Sequence, residues 1–186
     1  MDLDKAIKLR KSTKKFSDKK PDWRRIIECI DSTRYAPMAA GNFSLKFILI
    51  DDREKIGKIS GMCEQRFFSK VHYLVIVCSI PSRTKNAFKE KGEIYLRQQA
   101  GAAIENFLLK IQDFGLATCW VGHFIEEEIK RELRILDDVN VEAIFPIGYP
   151  QGPEKERSKR KISLDNILYF NEYGNPRMRQ PRVPEG

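Results

Sequence analysis

A chain of 186 residues is long enough to bury a substantial hydrophobic core within a single domain. Its composition, 41% hydrophobic and 32% charged, is typical of a folded globular protein and argues against intrinsic disorder. The net charge of +8 favours an anionic partner, which could be a nucleic acid, a phosphate or an acidic cofactor.

The cysteines and the N-terminus limit the class of protein further. The sequence has four cysteines without a CxxC pair and only two histidines, which argues against a zinc site and against a disulfide framework. The N-terminal residues lack a basic stretch followed by an apolar core, and no window approaches the ~18 uninterrupted apolar residues of a membrane span. We therefore expect a cytoplasmic protein with reduced thiols that is neither exported nor membrane-spanning.

The apolar periodicity of the first half alternates between helix and strand. Asp2 or Asp4 and then Asp22 stand where helix N-caps belong, and Pro37 follows the second helical pattern as a stop. The predicted elements are a helix from Leu3 to about Arg10, a helix from Asp22 to near Arg34, a strand over 46–51, a helix from Asp52 to about Ser60 and a strand over 73–78.

The second half begins with Ser82 to Lys91, which is polar and basic without clear periodicity and predicts a mobile loop or lid. The longest predicted helix runs from Gly92 to Phe114. Apolar residues occur on most sides of it, so we expect it to cross the core. The remaining predictions are a strand over 116–122, a helix over 126–133, a strand over 139–147, a surface excursion over 151–161, a short helix over 163–170 capped by Ser163 and an irregular tail over 171–186.

Several common catalytic motifs are absent from the sequence. It contains no Gly-x-Ser-x-Gly elbow, no P-loop, no Gly-x-Gly-x-x-Gly after a strand and no His-Glu-x-x-His. A hydrolase triad, an NTPase and a Rossmann dehydrogenase therefore have no support. Cys119 and His123 lack a sequence-adjacent partner of the type that a nucleophile or a proton donor needs, so neither is expected to be catalytic.

The first candidate site is the basic segment, Arg10–Phe16, which reads Arg-Lys-Ser-Thr-Lys-Lys-Phe. In an extended chain Arg10, Ser12 and Lys14 point to one side, so a guanidinium, a hydroxyl and an ammonium could converge on a phosphate. The same residues also suit a solvated helix end that complements the helix dipole. The segment alone leaves both interpretations open.

Three further stretches have both a functional and a structural interpretation. The small-residue loop over 37–44 could approach a flat ring or simply connect a helix to a strand. The strand between Gly115 and Gly122 could pass close to a ligand or only fill the core. The basic run over 159–161 is a charged surface turn, unless the basic segment binds phosphate, in which case it could form a second cationic arm.

The order of these pieces, from Leu3 to about Leu168, resembles the nitroreductase family of FMN-dependent oxidoreductases. The motifs that carry the resemblance are Arg-x-Ser-x-Lys-x-Phe at 10–16, Ala-Pro before a strand at 36–37, Gly-Leu-Ala-Thr-Cys-Trp-Val-Gly at 115–122, Gly-Tyr-Pro at 148–150 and a basic residue before Ser-Leu-Asp at 163–165. The ordered set, rather than any one motif, makes the resemblance specific.

The second motif departs from the family pattern, which is Ala-Pro-Ser-Ala-x-Asn-x-Gln-Pro-Trp. Met38 stands where a serine is frequent, and the Gln-Pro-Trp part is missing. Aligning Asn42 with the family asparagine needs one inserted residue before it and one deleted residue after it, whereas an ungapped match places Gly41 there. Two registers of the loop over 37–46 therefore stay open.

The resemblance implies a set of cofactor contacts. Arg10 and Ser12 would hold the FMN phosphate together with one of Lys159, Arg160 and Lys161, of which Arg160 is the first choice. Lys14 would lie toward the flavin N1/O2 edge, and no side chain need be catalytic because the flavin carries the chemistry. The implied cofactor-binding residues are Arg10, Lys11, Ser12, Lys14, Pro37, Met38, Ala39, Asn42, Trp120, Val121, Gly122, Arg160 and Lys161.

The resemblance also implies the fold and the assembly. We expect an α+β protein with a nitroreductase-like three-layer α/β/α sandwich around a central, mostly antiparallel sheet. A single FMN-binding domain would span 1–170, and an extension over 171–186 would pack on the partner subunit of a homodimer. The FMN sites would lie at the subunit interface, with the loop over 37–42 supplied by the partner.

The activity that the resemblance implies is transfer of a hydride from NADH or NADPH through FMN to a nitroaromatic, a quinone or a similar small acceptor, with ping-pong kinetics. A lid within 62–92 would select the acceptor. The alternative is a protein without redox turnover, either a flavin-holding homologue or a basic nucleic-acid-binding module. Nucleic acid is the weaker partner class, because the aromatic residues lie in apolar runs rather than among the Lys/Arg clusters.

Overall fold

The structure, a computed structural model, describes residues 1–152 and 162–178. The chain divides into two compact units, residues 1–155 and 156–186, which are taken separately below. Within the described ranges no helix combines the length and the apolar character needed to cross a membrane. The domain boundary at residue 170 stays a prediction.

The first unit alternates helices and strands over its described residues, 1–152. The α-helices are α1 (Leu3–Leu9), α2 (Trp23–Asp31), α3 (Arg53–Met62), α4 (Pro81–Phe88), α5 (Gly92–Asp113) and α6 (Glu126–Leu133). The strands are β1 (Leu45–Ile50), β2 (Tyr73–Ser79), β3 (Ala117–Thr118) and β4 (Asn140–Gly148). Single 3-10 turns occupy Ser32–Tyr35, Ala39–Gly41, Arg66–Phe68 and Lys89–Lys91.

These four strands form one antiparallel sheet in the order β1-β2-β4-β3. β1 pairs with β2 along its whole length, beginning with Leu45 opposite Ser79. β3 is held at the other edge of the sheet by only two residues, Ala117 and Thr118, which pair with the end of β4. The antiparallel sheet with its helices confirms the predicted α+β class.

Side chains on the two faces of β2 belong to two separate hydrophobic clusters. Val75 and Val77 pack with buried residues of α2 and α5, whereas Leu74 and Ile76 pack with buried residues of α3 and α6. Because successive residues of a strand point to opposite faces, helices cover both sides of the sheet. The burial of every residue of β2 explains why its sequence is a continuous apolar run.

Aspartate side chains fix the starts of three helices. Asp2, Asp22 and Asp52 each accept a hydrogen bond from the backbone N–H two residues further on, at 3.2, 3.0 and 2.9 Å. Such caps satisfy N–H groups that have no partner within the helix. The predicted starts of α2 and α3 are confirmed, and the 3-10 turn after Asp31 carries the helical path to just before Pro37.

Residues 82–91 are not the irregular loop that their polar sequence predicted. Pro81 is the first residue of α4, which runs to Phe88, and a 3-10 turn follows. Proline suits the first helical position because the N–H it lacks has no partner there. The Phe88 ring lies edge-on to Tyr95 of α5 at 5.0 Å, and a Cβ at Gly92 would come within 2.6 Å of the α4 backbone. Packing against α5 therefore stabilises α4 as a helix, although its sequence lacks a regular apolar pattern.

The predicted strand over 116–122 is reduced to the two residues of β3. After Thr118 the chain leaves the sheet and returns only for an isolated bridge between Val121 and Ile144, with N–H to carbonyl distances of 3.0 Å in both directions. The prediction was wrong because a continuous apolar run can be buried without its backbone pairing with a neighbouring strand.

The described part of the second unit, residues 162–178, has little regular structure. A 3-10 turn over Leu164–Asn166 stands where a helix over 163–170 was predicted, and the Ser163 side chain makes no cap hydrogen bond to it. Most apolar side chains of this stretch are exposed, so no packed face supports a longer helix.

Candidate functional site

The basic segment follows α1 and runs in an extended conformation along the β3 edge of the sheet. Ser12 forms a parallel bridge with Thr118 of β3, and the Thr13 N–H donates to the Thr118 carbonyl at 2.8 Å. Further on, the Ser17 N–H donates to the Tyr149 carbonyl at 2.9 Å, just after β4. These backbone bonds join three stretches that are far apart in the sequence and place the basic segment beside β3.

Phe16 anchors the far end of the basic segment. It bridges Pro150, and its ring packs so closely on Gly148 that an added Cβ there would lie 2.9 Å from the Phe16 Cδ1 atom. The Lys15 carbonyl accepts a hydrogen bond from the Gln151 N–H at 3.0 Å. A larger residue at position 148 would displace the ring, so the role of Phe16 is packing.

Ser12 and Lys14 converge on the Cys119 thiol. Burial raises the pKa of this thiol, although a hydrogen bond from the Ser12 hydroxyl and the charge of Lys14 both act in the opposite direction. The net shift keeps the thiol protonated at neutral pH, which argues against Cys119 as a nucleophile.

The Thr118 hydroxyl at the same edge has an unusual environment. The residue is 5% exposed, and its hydroxyl has no hydrogen-bond partner among the described residues. An unpaired buried hydroxyl costs about 1–3 kcal/mol, and such groups normally find a partner. A water molecule or a ligand group held at this edge of the sheet would satisfy it.

A depression of about 360 Å³ opens beside Lys14, and we call it the Lys14 depression. Four cationic side chains and one carboxylate are among its lining residues, which are Lys14, Lys15, Phe16, Ser17, Asp18, Arg66, Phe67, Ser69, Lys70, Val71 and Gln151. The Lys14 ammonium lies 5.4 Å from the centroid of the Phe67 ring. An excess of cations next to aromatic surface suits an anionic ligand that carries a flat ring.

Arg66 and Lys70 were not among the residues predicted from the sequence. They lie in the turn between α3 and β2, within the stretch over 62–92 that was expected to contain a lid. Phe68, between them, is fully buried and fixes the turn to the core. The two exposed cations therefore project from a turn whose backbone is held in place. Two cations around an aromatic pair could have drawn attention to the turn, but nothing in the sequence places it beside Lys14.

Arg10 is directed toward α5. Its Nε atom lies 3.7 Å from the Glu105 carboxylate, and both side chains are partly exposed. Lys11, the next residue, is also partly buried. The basic segment therefore presents its cations in two directions, with Lys14 in the Lys14 depression and Arg10 on α5.

The loop over 37–42 borders a different depression, of about 350 Å³, which we call the loop depression. It is lined by Pro37, Met38, Ala39, Tyr95, Gln98, Gln99 and Ala102. The buried Gln99 side chain holds the loop, because its Oε1 accepts from the Ser44 N–H at 3.0 Å and its Nε2 donates to the Asn42 carbonyl at 2.9 Å. Gln99 was not among the residues predicted from the sequence, since a glutamine inside a helical pattern does not reveal which groups it will contact.

Arg10 and the loop depression share one face of α5. Gln98, Ala102 and Glu105 follow the spacing i, i+4 and i+7, which places them on a single stripe of the helix. Gln98 and Ala102 line the loop depression, and Glu105 pairs with Arg10. The stripe is about 10 Å long, from the rise of 1.5 Å per residue. None of its residues lines the Lys14 depression.

Trp120, Val121 and Gly122 follow β3 and have different surroundings. Trp120 is 43% exposed, and its ring meets Phe145 edge-on at 5.7 Å between centroids. Val121 is buried by its bridge to Ile144, and a Cβ at Gly122 would lie 3.7 Å from the indole nitrogen. A half-exposed tryptophan at the sheet edge offers ring surface to a ligand.

The remaining candidates do not enlarge the site. Lys159, Arg160 and Lys161 lie outside the described residues, so the second cationic arm stays a prediction. His123 is exposed, with its Nε2 atom 3.8 Å from the Glu64 carboxylate.

The middle of the chain is similar to a known protein family. Residues 58–149, from α3 to just after β4, match the model described as the nitroreductase family, and the basic segment and the loop lie outside the match. A curated relative from Archaeoglobus fulgidus, provisionally named NADH dehydrogenase/NAD(P)H nitroreductase, is 26% identical over 152 residues. That alignment covers 79% of this chain and 84% of the relative.

Solved structures extend the similarity to nearly the whole chain. A nitroreductase family protein from Clostridium novyi NT is 26% identical with a TM-score of 0.73, and the match covers 94% of this chain and 96% of that one. An iodotyrosine deiodinase bound to FMN and 3-iodo-L-tyrosine is 20% identical with a TM-score of 0.78, over 92% of this chain and 100% of that one. At 20% identity the likeness to the deiodinase concerns the fold alone.

Proposed function

The chain belongs to the nitroreductase family of flavin-dependent oxidoreductases, and we propose that it binds FMN and oxidises NADH or NADPH. The electrons would pass to a small acceptor such as a nitroaromatic or a quinone. The observation that carries the proposal is the Lys14 depression, where the lysine expected at the flavin ring stands among further cations and beside an aromatic side chain.

The side chains at this edge of the sheet fit FMN by their chemistry. A phosphate is best held by several charged or hydroxyl donors, and Arg10 and Ser12 supply such groups. The cations of Lys14 and Arg66 suit the polar edge of the ring. A flavin ring needs flat apolar surface, which the exposed part of Trp120 offers. The unpartnered hydroxyl of Thr118 is a further polar group that a ligand could satisfy.

In this proposal Lys14 stands at the N1/O2 edge of the flavin ring. Bound FMN supplies the chemistry of hydride transfer, so the chain needs no nucleophile and no dedicated general base. A fixed ammonium at that edge stabilises negative charge on the reduced ring, and the cations of Arg66 and Lys70 act in the same direction. Lys14 would therefore act electrostatically and not as a proton donor.

Arg10 and Ser12 would hold the phosphate, with one of the cations over 159–161 as a second arm, and Lys11 would be a further cofactor contact. The Arg10–Glu105 pair has to open or be shared when phosphate binds, because a carboxylate repels the phosphate. An exposed ion pair of this kind contributes only about 0–1 kcal/mol, so a phosphate can compete for the guanidinium.

A homodimer would bring the loop over 37–42 of each chain to the FMN site of its partner, where Pro37, Met38, Ala39 and Asn42 would contact the ring. Large exposed apolar side chains on α1, on α2 and the turn after it, and at the start of α5 support such an interface. They are Leu3, Ile7, Trp23, Ile27, Tyr35 and Ile94. Clusters of exposed apolar side chains commonly mark protein interfaces.

The extension over 171–186 would pack on the partner subunit. In its described part, Tyr173 is 94% exposed and its ring lies edge-on to Tyr169 at 5.0 Å. Hydrogen bonds between Phe170 and Asn175 close the turn that presents these rings. Aromatic side chains this exposed support an interface with another surface.

A turnover assay tests the proposed activity. The purified protein should be yellow. With bound FMN it should oxidise NADH or NADPH over many turnovers when menadione or nitrofurazone is present, and reduce its own flavin once when no acceptor is added. Because reductant and acceptor would use the same face of the flavin in turn, we expect ping-pong kinetics, seen as parallel double-reciprocal lines.

Two results would favour the alternatives. Uptake of FMN without oxidation of either nicotinamide would indicate a flavin-holding protein. Binding of DNA or RNA that weakens with salt, with no flavin uptake, would indicate a nucleic-acid-binding protein.

A further inference from the structure

We infer that a second basic depression, next to the Lys14 depression, binds a phosphate group of the nicotinamide reductant, an inference that rests on the proposed function. We call it the Arg53 depression; it measures about 430 Å³ and is lined by Asp18, Arg53, Ser69, Lys70, Val71 and His72. Four of these residues, Asp18, Ser69, Lys70 and Val71, also line the Lys14 depression. The two depressions are therefore contiguous.

The donors of the Arg53 depression suit a phosphate. Arg53 presents a guanidinium, whose fork of N–H groups can bind two phosphate oxygens, and Lys70 adds an ammonium. Among the described residues that line the Arg53 depression, Asp18 is the one carboxylate, so cations outnumber anions there. The Ser69 hydroxyl donates to the Arg66 carbonyl at 3.0 Å, which leaves its oxygen as an acceptor.

His72 adds a group that matches a phosphate carrying a proton. Its Nε2 atom lies 2.9 Å from the Asp18 carbonyl oxygen. A carbonyl can only accept, so Nε2 carries the hydrogen and Nδ1 of the neutral ring is left as an acceptor. The 2′-phosphate of NADPH is a monoester, whose second pKa is about 6, so it can donate one hydrogen bond to such a nitrogen while its other oxygens face the cations. The pyrophosphate that NADH and NADPH share carries no such proton, so it would contact the cations alone.

The order of residues along the chain distinguishes this phosphate from that of the flavin. Arg10 and Ser12, the proposed partners of the FMN phosphate, precede Lys14, and Asp18 follows it. Lys14 lines the Lys14 depression alone, whereas Asp18 lines both depressions, so the Arg53 depression adjoins the Lys14 depression at the Asp18 end of the chain. With the flavin ring at Lys14, a phosphate bound there belongs to the molecule that meets the ring.

Three reductants distinguish the sources of this phosphate. NADH carries a pyrophosphate, NADPH adds a 2′-phosphate, and 1-benzyl-1,4-dihydronicotinamide carries neither. Arg53→Ala in the FMN-loaded protein should raise KM by about tenfold, as expected for one lost charge-assisted hydrogen bond. A rise for both NADH and NADPH identifies the pyrophosphate as the ligand, and a rise for NADPH alone identifies the 2′-phosphate. The kinetics with the benzyl compound should stay unchanged.

Matched variants keep the test specific. Lys55→Ala, on the same helix but lining another depression, should leave all three KM values unchanged. Arg53→Lys keeps the charge but not the fork, so its KM values should lie between those of the wild type and Arg53→Ala. The flavin content of each variant should equal that of the wild type. Equal KM values for the wild type and Arg53→Ala with both dinucleotides, or an equal change with the benzyl compound, would overturn the inference. A wild-type protein that loads no FMN would contradict the proposed function itself, and with it the inference.

Discussion

The basic segment and the loop over 37–42 were both predicted to contact one cofactor, yet they are held in different ways. Backbone hydrogen bonds join the basic segment to β3 and to the chain after β4, and Phe16 packs on Gly148. The loop depends largely on one side chain, Gln99. It also contains consecutive positive φ angles, 49° at Ala40 and 69° at Gly41.

This difference separates a rigid part of the site from an adjustable one. Backbone bonds form whatever the side chains are, so the basic segment can present Ser12 and Lys14 in a fixed geometry. The loop includes a non-glycine residue in the left-handed region, which costs about 1 kcal/mol, and relies on a glutamine that can be replaced. We expect changes at the rigid part to affect the cofactor and changes at the loop to affect mainly stability.

The largest effect is expected from Gly148→Val, which breaks the rigid part. The new side chain would displace the Phe16 ring, whose Cδ1 atom would lie 2.9 Å from a Cβ at this position. We expect FMN affinity to fall by about 100-fold and the free energy of unfolding to fall by about 2 kcal/mol. Fluorescence titration with FMN and chemical denaturation measure the two quantities.

Gly57→Ala is the control for this variant, because a Cβ at Gly57 meets nothing within 4 Å. It should bind FMN as the wild type does. Unchanged FMN affinity in Gly148→Val would show that the basic segment need not be fixed by Phe16.

Gln99→Leu tests the loop. It leaves the buried Ser44 N–H without its partner, at a cost of about 1–3 kcal/mol, and leaves the Asn42 carbonyl with only the Ser44 hydroxyl at 3.5 Å. The free energy of unfolding should fall by about 2 kcal/mol or more, whereas FMN affinity should change only several-fold. Gln98→Leu, at the exposed neighbouring position, should be close to neutral; equal losses in the two variants would contradict this account.

A smaller effect is expected at the strained residue of the loop. Ala40→Gly removes the cost of the positive φ angle, whereas Ala39→Gly removes a side chain without relieving strain. The two variants should differ in free energy of unfolding by about 1 kcal/mol, with Ala40→Gly the more stable. Thermal unfolding of both proteins measures the difference, and the reverse order would refute the strain.

The smallest effect concerns the ion pair at the edge of the rigid part. Glu105→Gln removes the carboxylate that lies 3.7 Å from Arg10 and should strengthen FMN binding by about two- to fivefold at low salt. The gain should shrink at high ionic strength, because salt screens exposed charges. Weaker binding would mean that Glu105 positions Arg10 and does not compete with the phosphate.

Local rules predicted the elements of the fold that depend on neighbouring residues. The sequence reveals the Asp22 and Asp52 caps and the apolar run of β2. Each of these signals depends only on residues that are close together in the chain. α4 was missed because its main support is Tyr95 and Gly92 on the next helix, which no local pattern reveals.

Local patterns likewise pointed to some residues of the candidate site and not to others. Alternation in an extended chain predicted that Arg10, Ser12 and Lys14 share one side. Ser12 and Lys14 both act on Cys119, whereas Arg10 pairs with Glu105 of α5. Arg66, Lys70 and Gln99 could not be assigned, because their roles depend on the distance in space to residues remote in sequence.

Titration of the apoprotein with FMN tests the central claim most directly. The wild type should bind one FMN per chain, and Lys14→Met should weaken binding by about 10- to 100-fold through loss of one charged contact. Lys8→Met, an exposed lysine on α1, is the control and should bind like the wild type. Absence of saturable FMN binding by the wild type, or equal affinity in Lys14→Met, would contradict a flavin site at the Lys14 depression.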